Sequence, residues 1–510
     1  MIVDAILSGE ISSVEALESR KRKASSDLGL SSMPNNADIL AESASSDERE
    51  RLKMLVRKPT RTLSGVAVIA AMTSPARCPH GTCVPCPGGV ACPSPQSYTG
   101  REPAALRAAQ HCYDPYKQVR ARLGQLAEIG HPLDKAELIV MGGTITSRPL
   151  GYQHWFVKRC LQAMNDHPQG EAPASPWQSF RQVALANESA AVRNIGTTFE
   201  TRPDWCGAKD IQSMLRLGAT KVELGVQSTR DDLLETMRRG HTVQETIDAN
   251  QALREAGLKV GFHMMAGLQG STPEEDLKVF EELFSDSRFR PDYLKIYPAL
   301  VVGGTRLHEL YERGEYAPLG DEAAAELVSR IKEMLPGYVR LQRVQRDIPA
   351  HLIVAGVKKS NLRQLAQERL KERGHHCHCI RCREAGLRGV GVADADADPK
   401  HEIYEACEGE EHFLSFETDD ATLVAFLRLR LGEAARVREL HVYGPMVPIG
   451  TRKEGWQHRG YGAKLLAAAE ALALEKGYRS IEITSGIGAR GYYRRLGYDL
   501  REPYMVKALL

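Results

Sequence analysis

With 510 residues, 42% hydrophobic and 26% charged, the chain has room for two to four domains that each bury a core, which excludes a disordered or fibrous protein. No run reaches the roughly twenty apolar residues of a membrane span, and the start MIVDAILSGEISS lacks the layout of a secretory leader, so a cytoplasmic chain without a membrane partner is expected. The net charge of +2 averages over a very uneven distribution, and eleven cysteines in such a chain point to metal or redox chemistry before disulfides.

Residues 1–60 read as a helical N-terminal extension: VDAILSGEISSVEALESRKRK is periodic, a Ser/Asp/Asn-rich break follows, and ERERLKMLVRK resumes the pattern. From Gly65 the texture changes to short apolar runs, VAVIAAM, ELIVMGGT, KVELGVQS and KVGFHMMAGL, separated by helical stretches. Such alternation predicts parallel strands with crossover helices, and hence an α/β domain over 61–318 built as a full or partial β/α barrel. Its chemistry is expected at the C-terminal ends of the strands.

Directly after the first of those strands come Cys78, Cys83 and Cys86, spaced C-x4-C-x2-C and followed by a PGG turn. Three thiolates on one tight loop hold three irons of a four-iron–four-sulfur (4Fe–4S) cluster and leave the fourth iron open for the amino and carboxylate groups of S-adenosylmethionine (SAM). The bland alternative is a zinc knuckle, with Cys92 or His80 as the fourth ligand. The loop's place at the barrel mouth favours the cluster. MGGT, Met141–Thr144, ends the next strand where backbone groups meet the amino end of SAM.

Residues 319–398 read as a basic linker. Within 328–389 there are fourteen Lys or Arg against five Asp or Glu, with Arg340, Arg343 and Arg346 at three-residue steps and Lys358 and Lys359 beyond them. A run that long repels itself unless a polyanion is near, so nucleic-acid phosphates are the expected partner, against the plainer reading of a solvated helical face. Cys377, Cys379 and Cys382 have zinc-ligand spacing, with Cys407, His376 or His378 as fourth donor. The stretch ADADADP reads as a joint.

Residues 399–510 read as a second, mixed α/β domain: antiparallel strands HFLSFE, LVAFLRLRL and RELHVYGPMVPI, a helix AKLLAAAEALALEKG, a strand SIEITSG and a short helix ARGYYRRLGY. Gln457, His458, Arg459, Gly460, Tyr461 and Gly462 fit Q/R-x-x-G-x-G/A just before the long helix, where free N–H groups bind a pyrophosphate. Strand, glycine motif, helix, strand is the order of a Gcn5-related N-acetyltransferase fold, which implies acetyl-CoA. Tyr492 and Tyr493 lie where that fold places a phenol that protonates the leaving thiolate, their bland reading being core packing.

Taken together, KPTRTLSGVAVIAAMTSPARCPHGTCVPCPGG, QSYTGREPAALRA, TFETRPD, ELGVQS, LKIYPALVVGGT, LQRVQRDIPA, CREAG, HVYGPMVPI, QHRGYG and SGIGARGYYRRLGY make the chain, from about residue 58 onward, resemble the catalytic subunit of Elongator. The resemblance implies a radical SAM partial barrel followed by an acetyltransferase domain, acting on the tRNA anticodon stem-loop to install a carboxymethyl-type group at C5 of the wobble uridine. It implies a tRNA-binding role for the N-terminal extension. It also puts Gly143, Thr144, Glu200, Arg202 and Gln227 near SAM, Lys295 and Tyr297 at the reaction centre, and Ser485 with the acetyl-CoA residues.

The implied chemistry is hydrogen abstraction from the acetyl methyl group, attack of that carbon on uridine C5, and thioester hydrolysis. Its expected cofactors and partners are the 4Fe–4S cluster, SAM, acetyl-CoA, zinc, an electron donor and tRNA, with a second copy of the chain as a further candidate partner. Two rivals predict different products. A protein lysine acetyltransferase would need no SAM, and a tRNA-binding scaffold would turn over neither cofactor.

Overall fold

The computed structural model of the protein describes residues 1–30, 33–43, 48, 51–56, 62–63, 65–90, 92–168, 177–389, 397–443 and 460–509. At its start the helices Ile2–Leu7, Val14–Asp27 and Asn36–Ala41 close around a small core that includes Ile6, Leu17 and Leu40. Ser13 starts the second helix by accepting a hydrogen bond from the Ala16 amide at 3.1 Å, which satisfies one of the donors a helix leaves open. No helix among the described residues is long and apolar enough to cross a membrane.

The first large sheet contains β1 (Ala67–Met72), β2 (Lys135–Met141), β3 (Arg193–Thr201), β4 (Lys221–Gln227), β5 (Lys259–Ala266) and β6 (Tyr293–Pro298). After the short β7 (Val301–Val302), β8 (Arg340–Arg343) completes it, and β9 (Ile353–Ala355) pairs with β7. The order is β1-β2-β3-β4-β5-β6-β8 with all neighbours parallel, and β1 and β8 are not paired, so this is a partial barrel. Crossover helices such as Val243–Glu255 and Pro273–Ser285 begin at capping boxes, Thr242 with Glu245 and Thr272 with Glu275.

The basic stretch 319–398 is more than a connector. It supplies β8 and two mutually packed helices, Asp321–Met334 and Leu362–Glu372, whose Leu327, Ile331, Leu362 and Leu370 join the barrel core. Much of its positive charge is met inside the segment, where Glu322 pairs with Lys359 and Arg369, and Glu326 with Arg369 and Arg373.

The second sheet runs β10 (Asp398–Ala406), β11 (Gly409–Glu417), β12 (Leu423–Leu431), β13 (Ala435–Val442), then β14 (Ser480–Ile483), β16 (Tyr504–Ala508) and β15 (Asp499–Arg501). β10 to β13 are antiparallel, as expected, whereas β13 and β14 are parallel and pair only from Ala435–Ile481 to Val437–Ile483. Beyond Val437 the two strands part, and β13 continues to Val442 with no strand paired to that edge among the described residues. The Ala/Leu-rich helix Tyr461–Glu475 buries Leu465, Leu466, Ala469 and Ala473 against this sheet.

A fully buried set of charges joins the two sheets. Arg438 of β13 grips Asp292, just before β6, with both terminal nitrogens, at 2.6 and 2.8 Å. Arg438 also donates to Glu411 of β11 at 2.7 Å, and Arg254 donates to the same carboxylate at 2.9 Å. Arg428 of β12 donates to Glu439 at 2.9 Å, which also accepts from the Tyr293 hydroxyl of β6. Burial disfavours the Asp292 charge, but the guanidiniums of Arg438, Arg254 and Arg428 outweigh it and hold the carboxyl far below its ordinary range. The backbones also touch: a Cβ on Gly486 would lie 2.0 Å from the Ile195 carbonyl oxygen of β3, so only glycine fits there.

Removing one partner of such a set leaves a buried charge uncompensated. Arg438→Met should therefore lower the free energy of unfolding by about 3–5 kcal/mol, read from denaturant titration. The double change Arg438→Met, Asp292→Leu should recover most of that loss, and a fully additive loss would contradict the coupling.

Candidate active site

One cavity of about 1310 Å³ runs through the barrel, from the C-terminal ends of its strands to their N-terminal ends, where the parted edge of β13 docks. At one end lies the loop after β1. Cys78, Cys83 and Cys86 all line the cavity, and each sulfur meets a donor: the Thr144 hydroxyl lies 3.7 Å from Cys78 Sγ, Arg239 Nη1 donates to Cys83 at 3.2 Å, and the Ser97 amide donates to Cys86 at 3.1 Å. His80 Nε2 lies 3.0 Å from Cys83 Sγ and 3.1 Å from Arg202 Nη1. Burial pushes the Cys78 and Cys86 thiols up. Iron would reverse that, because a coordinating thiol is deprotonated outright. Three soft sulfurs ringed by donors are a donor set that fits an iron–sulfur cluster.

The loop is clamped from below by residues 237–241. Val84 N bonds the Met237 carbonyl at 3.1 Å, and Arg239 Nη2 donates to the Gly225 carbonyl at 2.7 Å. Gly240, at φ +64°, lies so close that a Cβ there would sit 2.7 Å from His80 Cβ.

The floor of the cavity is a net of charges on the strands. Lys295 of β6 donates to Glu200 of β3 at 3.1 Å and to Glu223 of β4, and His263 Nε2 of β5 lies 2.9 Å from Glu223. Lys221 pairs with Glu223 at 3.3 Å and Glu137 at 3.1 Å, while the Tyr98 hydroxyl donates to Glu200 at 3.1 Å. Burial works against the Glu223 charge, yet Lys295 and Lys221 hold the carboxyl well below its usual range. Burial also works against Lys295, and Glu223, Tyr297 and Glu200 reverse it and push the ammonium up. Burial and Lys295 press His263 down. The Tyr297 ring stands edge-on to His263, and burial raises its phenol.

The opposite end belongs to the second domain. Gly460 caps the helix Tyr461–Glu475, and Gly462 follows so near Tyr492 that a Cβ there would lie 2.7 Å from the phenol oxygen. Tyr492 and Tyr493 both line the cavity, and burial pushes both phenols up, keeping them protonated.

Most residues singled out from the sequence converge here. Gly143, Thr144, Glu200, Arg202, Gln227, Lys295 and Tyr297 line the cavity with the three cysteines, and Gly460, Gly462, Tyr492 and Tyr493 face them. Arg343 and Arg346 lie on the same wall, Arg343 paired with Asp347 at 2.8 Å and Arg346 donating to the Ser97 carbonyl. Others are placed differently. Arg340 reaches the wall, but its guanidinium is spent on Glu384 at 2.6 Å and the Tyr443 hydroxyl at 2.8 Å. Ser485 is buried with its hydroxyl on the Gly486 carbonyl, and Tyr461 packs into the sheet core against Phe416. Lys358 and Lys359 are exposed and lie against Asp321 and Glu322. Gln457, His458 and Arg459 lie outside the described residues.

Cys377, Cys379 and Cys382 form a second sulfur site, with one atom of each within 4.8 Å of the others. Cys407 does not join them. Its sulfur accepts from Asn250 at 3.1 Å and donates to the Arg288 carbonyl at 3.3 Å, so it is corrected as the expected fourth ligand. Glu223, His263, Lys221 and Arg239 went unnoticed at the sequence level. For Glu223, His263 and Lys221 the available signal was a polar residue inside an otherwise apolar parallel strand, as in KVELGVQ and KVGFHMMA; Arg239 lies on a loop and carried none.

Comparisons with known proteins agree along the whole chain. The ELP3 N-terminal domain model matches residues 1–63, the Radical SAM superfamily 72–283, the Radical_SAM C-terminal domain 291–372 and the acetyltransferase (GNAT) family 381–498. The tRNA uridine(34) acetyltransferase of Methanocaldococcus jannaschii is 47% identical over 93% of this chain and 90% of its own. Elongator complex protein 3 of Danio rerio is 40% identical over 96% and 92%. The solved structure of archaeal Methanocaldococcus infernus Elp3, lacking an N-terminal stretch, superposes with a TM-score of 0.75 at 42% identity, covering 87% of this chain and 99% of that one.

The close approach at Gly240 generates a test. Gly240→Ala should push His80 out of the cysteine loop, so that iron and sulfide per chain fall after anaerobic reconstitution while the far-UV spectrum is kept. Full iron loading would show that the clamp does not matter.

Proposed function

The chain belongs to the family of tRNA uridine(34) acetyltransferases that includes Elongator complex protein 3, and from that premise we propose that it builds a carboxymethyl-type group from acetyl-CoA onto C5 of the wobble uridine of tRNA. One observation carries the reading: the three cysteines of the β1 loop and the glycines and tyrosines of the acetyltransferase domain line a single cavity. The acetyl end of a thioester held by the second domain and the radical made beside the cysteines would meet inside that cavity. An ordinary acetyltransferase has no use for that connection.

Cys78, Cys83 and Cys86 would hold the 4Fe–4S cluster, with Gly143, Thr144, Glu200, Arg202 and Gln227 around SAM. Bound there, cluster and SAM supply a carbon-centred radical able to take hydrogen from the acetyl methyl group, given one electron from a separate donor. Lys295 ties Glu200 to Glu223 and holds Glu223 in its charged form, so this part of the cavity keeps its shape and polarity around the reacting base. The amide groups at the start of the helix Tyr461–Glu475 receive the CoA pyrophosphate. Tyr492, protonated and beside Gly462, stands ready to donate to the departing sulfur.

The target uridine must leave its stack to enter the cavity, and an anticodon loop gives up a base at modest cost. Arg343 and Arg346 on the wall are the phosphate contacts the reading favours, with Lys358 and Lys359 further out and Arg340 left to its internal partners. Cys377, Cys379 and Cys382 would hold a structural zinc with a fourth ligand other than Cys407. The same reading makes the enzyme cytoplasmic.

Incubation with reductant, SAM, acetyl-CoA and tRNA, followed by digestion and mass spectrometry, should yield a carboxymethyl-type uridine. Cys83→Ala should abolish that product and SAM cleavage while acetyl-CoA still binds. Acetyl-lysine on protein without SAM consumption would overturn the reading. Neutralising Arg343 and Arg346 together should weaken tRNA binding and lower the salt slope by about one per contact, whereas an unchanged slope would place the phosphates elsewhere.

A further inference from the structure

β13 presents alternate residues to opposite sides of its sheet. Leu440 and Val442 pack into the core under the helix Tyr461–Glu475, while Glu439 and Tyr443 turn toward the barrel, where they meet Tyr293 and Arg340. His441 lies between those two and shares their side, in the stretch where β14 no longer pairs with β13. Its ring is held in place: it lies parallel to Phe426 with centroids 5.9 Å apart and 4.3 Å from the Tyr443 ring. It lines the cavity, yet neither ring nitrogen has a hydrogen-bond partner among the described residues. Its ionisable neighbours are committed, Glu439 to Arg428 and Tyr293, and Glu384 to Arg340. Burial above all holds the imidazole down at about 4, against the pull of Glu439 and Glu384 and with the help of Arg340 and Lys259, so the resting ring is neutral.

We propose that His441 is a catalytic residue of the acetyl-CoA half of the reaction, the base that activates water for hydrolysis of the thioester. The proposal rests on the function given above. Water oxygen bonds to the acyl carbon as its proton passes to an imidazole nitrogen. The carbon–sulfur bond then breaks, Tyr492 gives its proton to the departing sulfur, the imidazolium returns the water's proton to the Tyr492 phenolate through solvent, and CoA leaves as the thiol. The new carboxyl group loses its proton to solvent, and no oxidant or reductant is consumed.

The test uses the reconstituted holoenzyme with tRNA, SAM, reductant and acetyl-CoA, and follows free CoA thiol and 5′-deoxyadenosine separately. His441→Gln and His441→Ala should slow CoA release about 100-fold while acetyl-CoA affinity and the 5′-deoxyadenosine formed in the first turnover stay near wild type. Added imidazole should restore CoA release in the alanine variant, which a merely structural role would not allow. CoA release within threefold of wild type, or a loss matched by lost acetyl-CoA affinity, overturns the proposal. If the wild-type enzyme makes 5′-deoxyadenosine but never releases CoA, the wider reading of the function falls, and this assignment with it.

Discussion

The bidentate contact between Arg438 and Asp292 sets the geometry on which the active cavity depends. It fixes β13 of the acetyltransferase sheet against the entry to β6 of the barrel, and Glu411, Arg254, Arg428 and Glu439 extend it in the buried interface. Ion pairs of this kind add little net stability, because desolvation consumes most of their attraction. What they give is register. Apolar surfaces can slide past one another at small cost, whereas a guanidinium held by two carboxylates cannot shift by an ångström without stranding a charge. A cavity whose two ends come from different domains needs that constraint, since reacting groups must meet within a fraction of an ångström.

The same logic runs through the cavity floor. Glu137, Glu200 and Glu223 alternate with Lys221 and Lys295 across neighbouring parallel strands, and each charge is stabilised by the next. The pattern is costly as a core but effective as a surface for polar substrates, because its dipoles are already oriented before anything binds. It also explains why Lys295 and Tyr297, noticed only through resemblance, sit beside Glu223 and His263, which no motif marked.

What could be read in advance follows from the range of each interaction. The spacing of Cys78, Cys83 and Cys86, the glycines before the helix Tyr461–Glu475, and the strand periodicities are local, so they were legible in the one-dimensional pattern. Partners far apart in the chain were not: Arg340 looked like one of three phosphate ligands until Glu384 and Tyr443 met it, and Cys407 looked like a metal ligand until Asn250 and Arg288 claimed it. The seventh barrel strand was hidden for a related reason. Arg340–Arg343 is too short and too charged to read as a strand, and only its pairing with β6 makes it one.

Placing β8 after a long helical excursion has a consequence for how the protein is made. As the chain leaves the ribosome, β6 is complete while its outer neighbour is still unsynthesised, and Asp292 waits for an arginine that lies 146 residues downstream. The edge of β6 stays unpaired until residues 340–343 arrive, and until Arg428 and Arg438 follow, the Asp292 carboxylate has only Arg254 and the Val260 amide as partners. The barrel sheet is thus complete before the second sheet is made, but its buried acid gains the Arg438 pair only when that sheet arrives, and a ribosome that stalls between them leaves an intermediate suited to capture by chaperones.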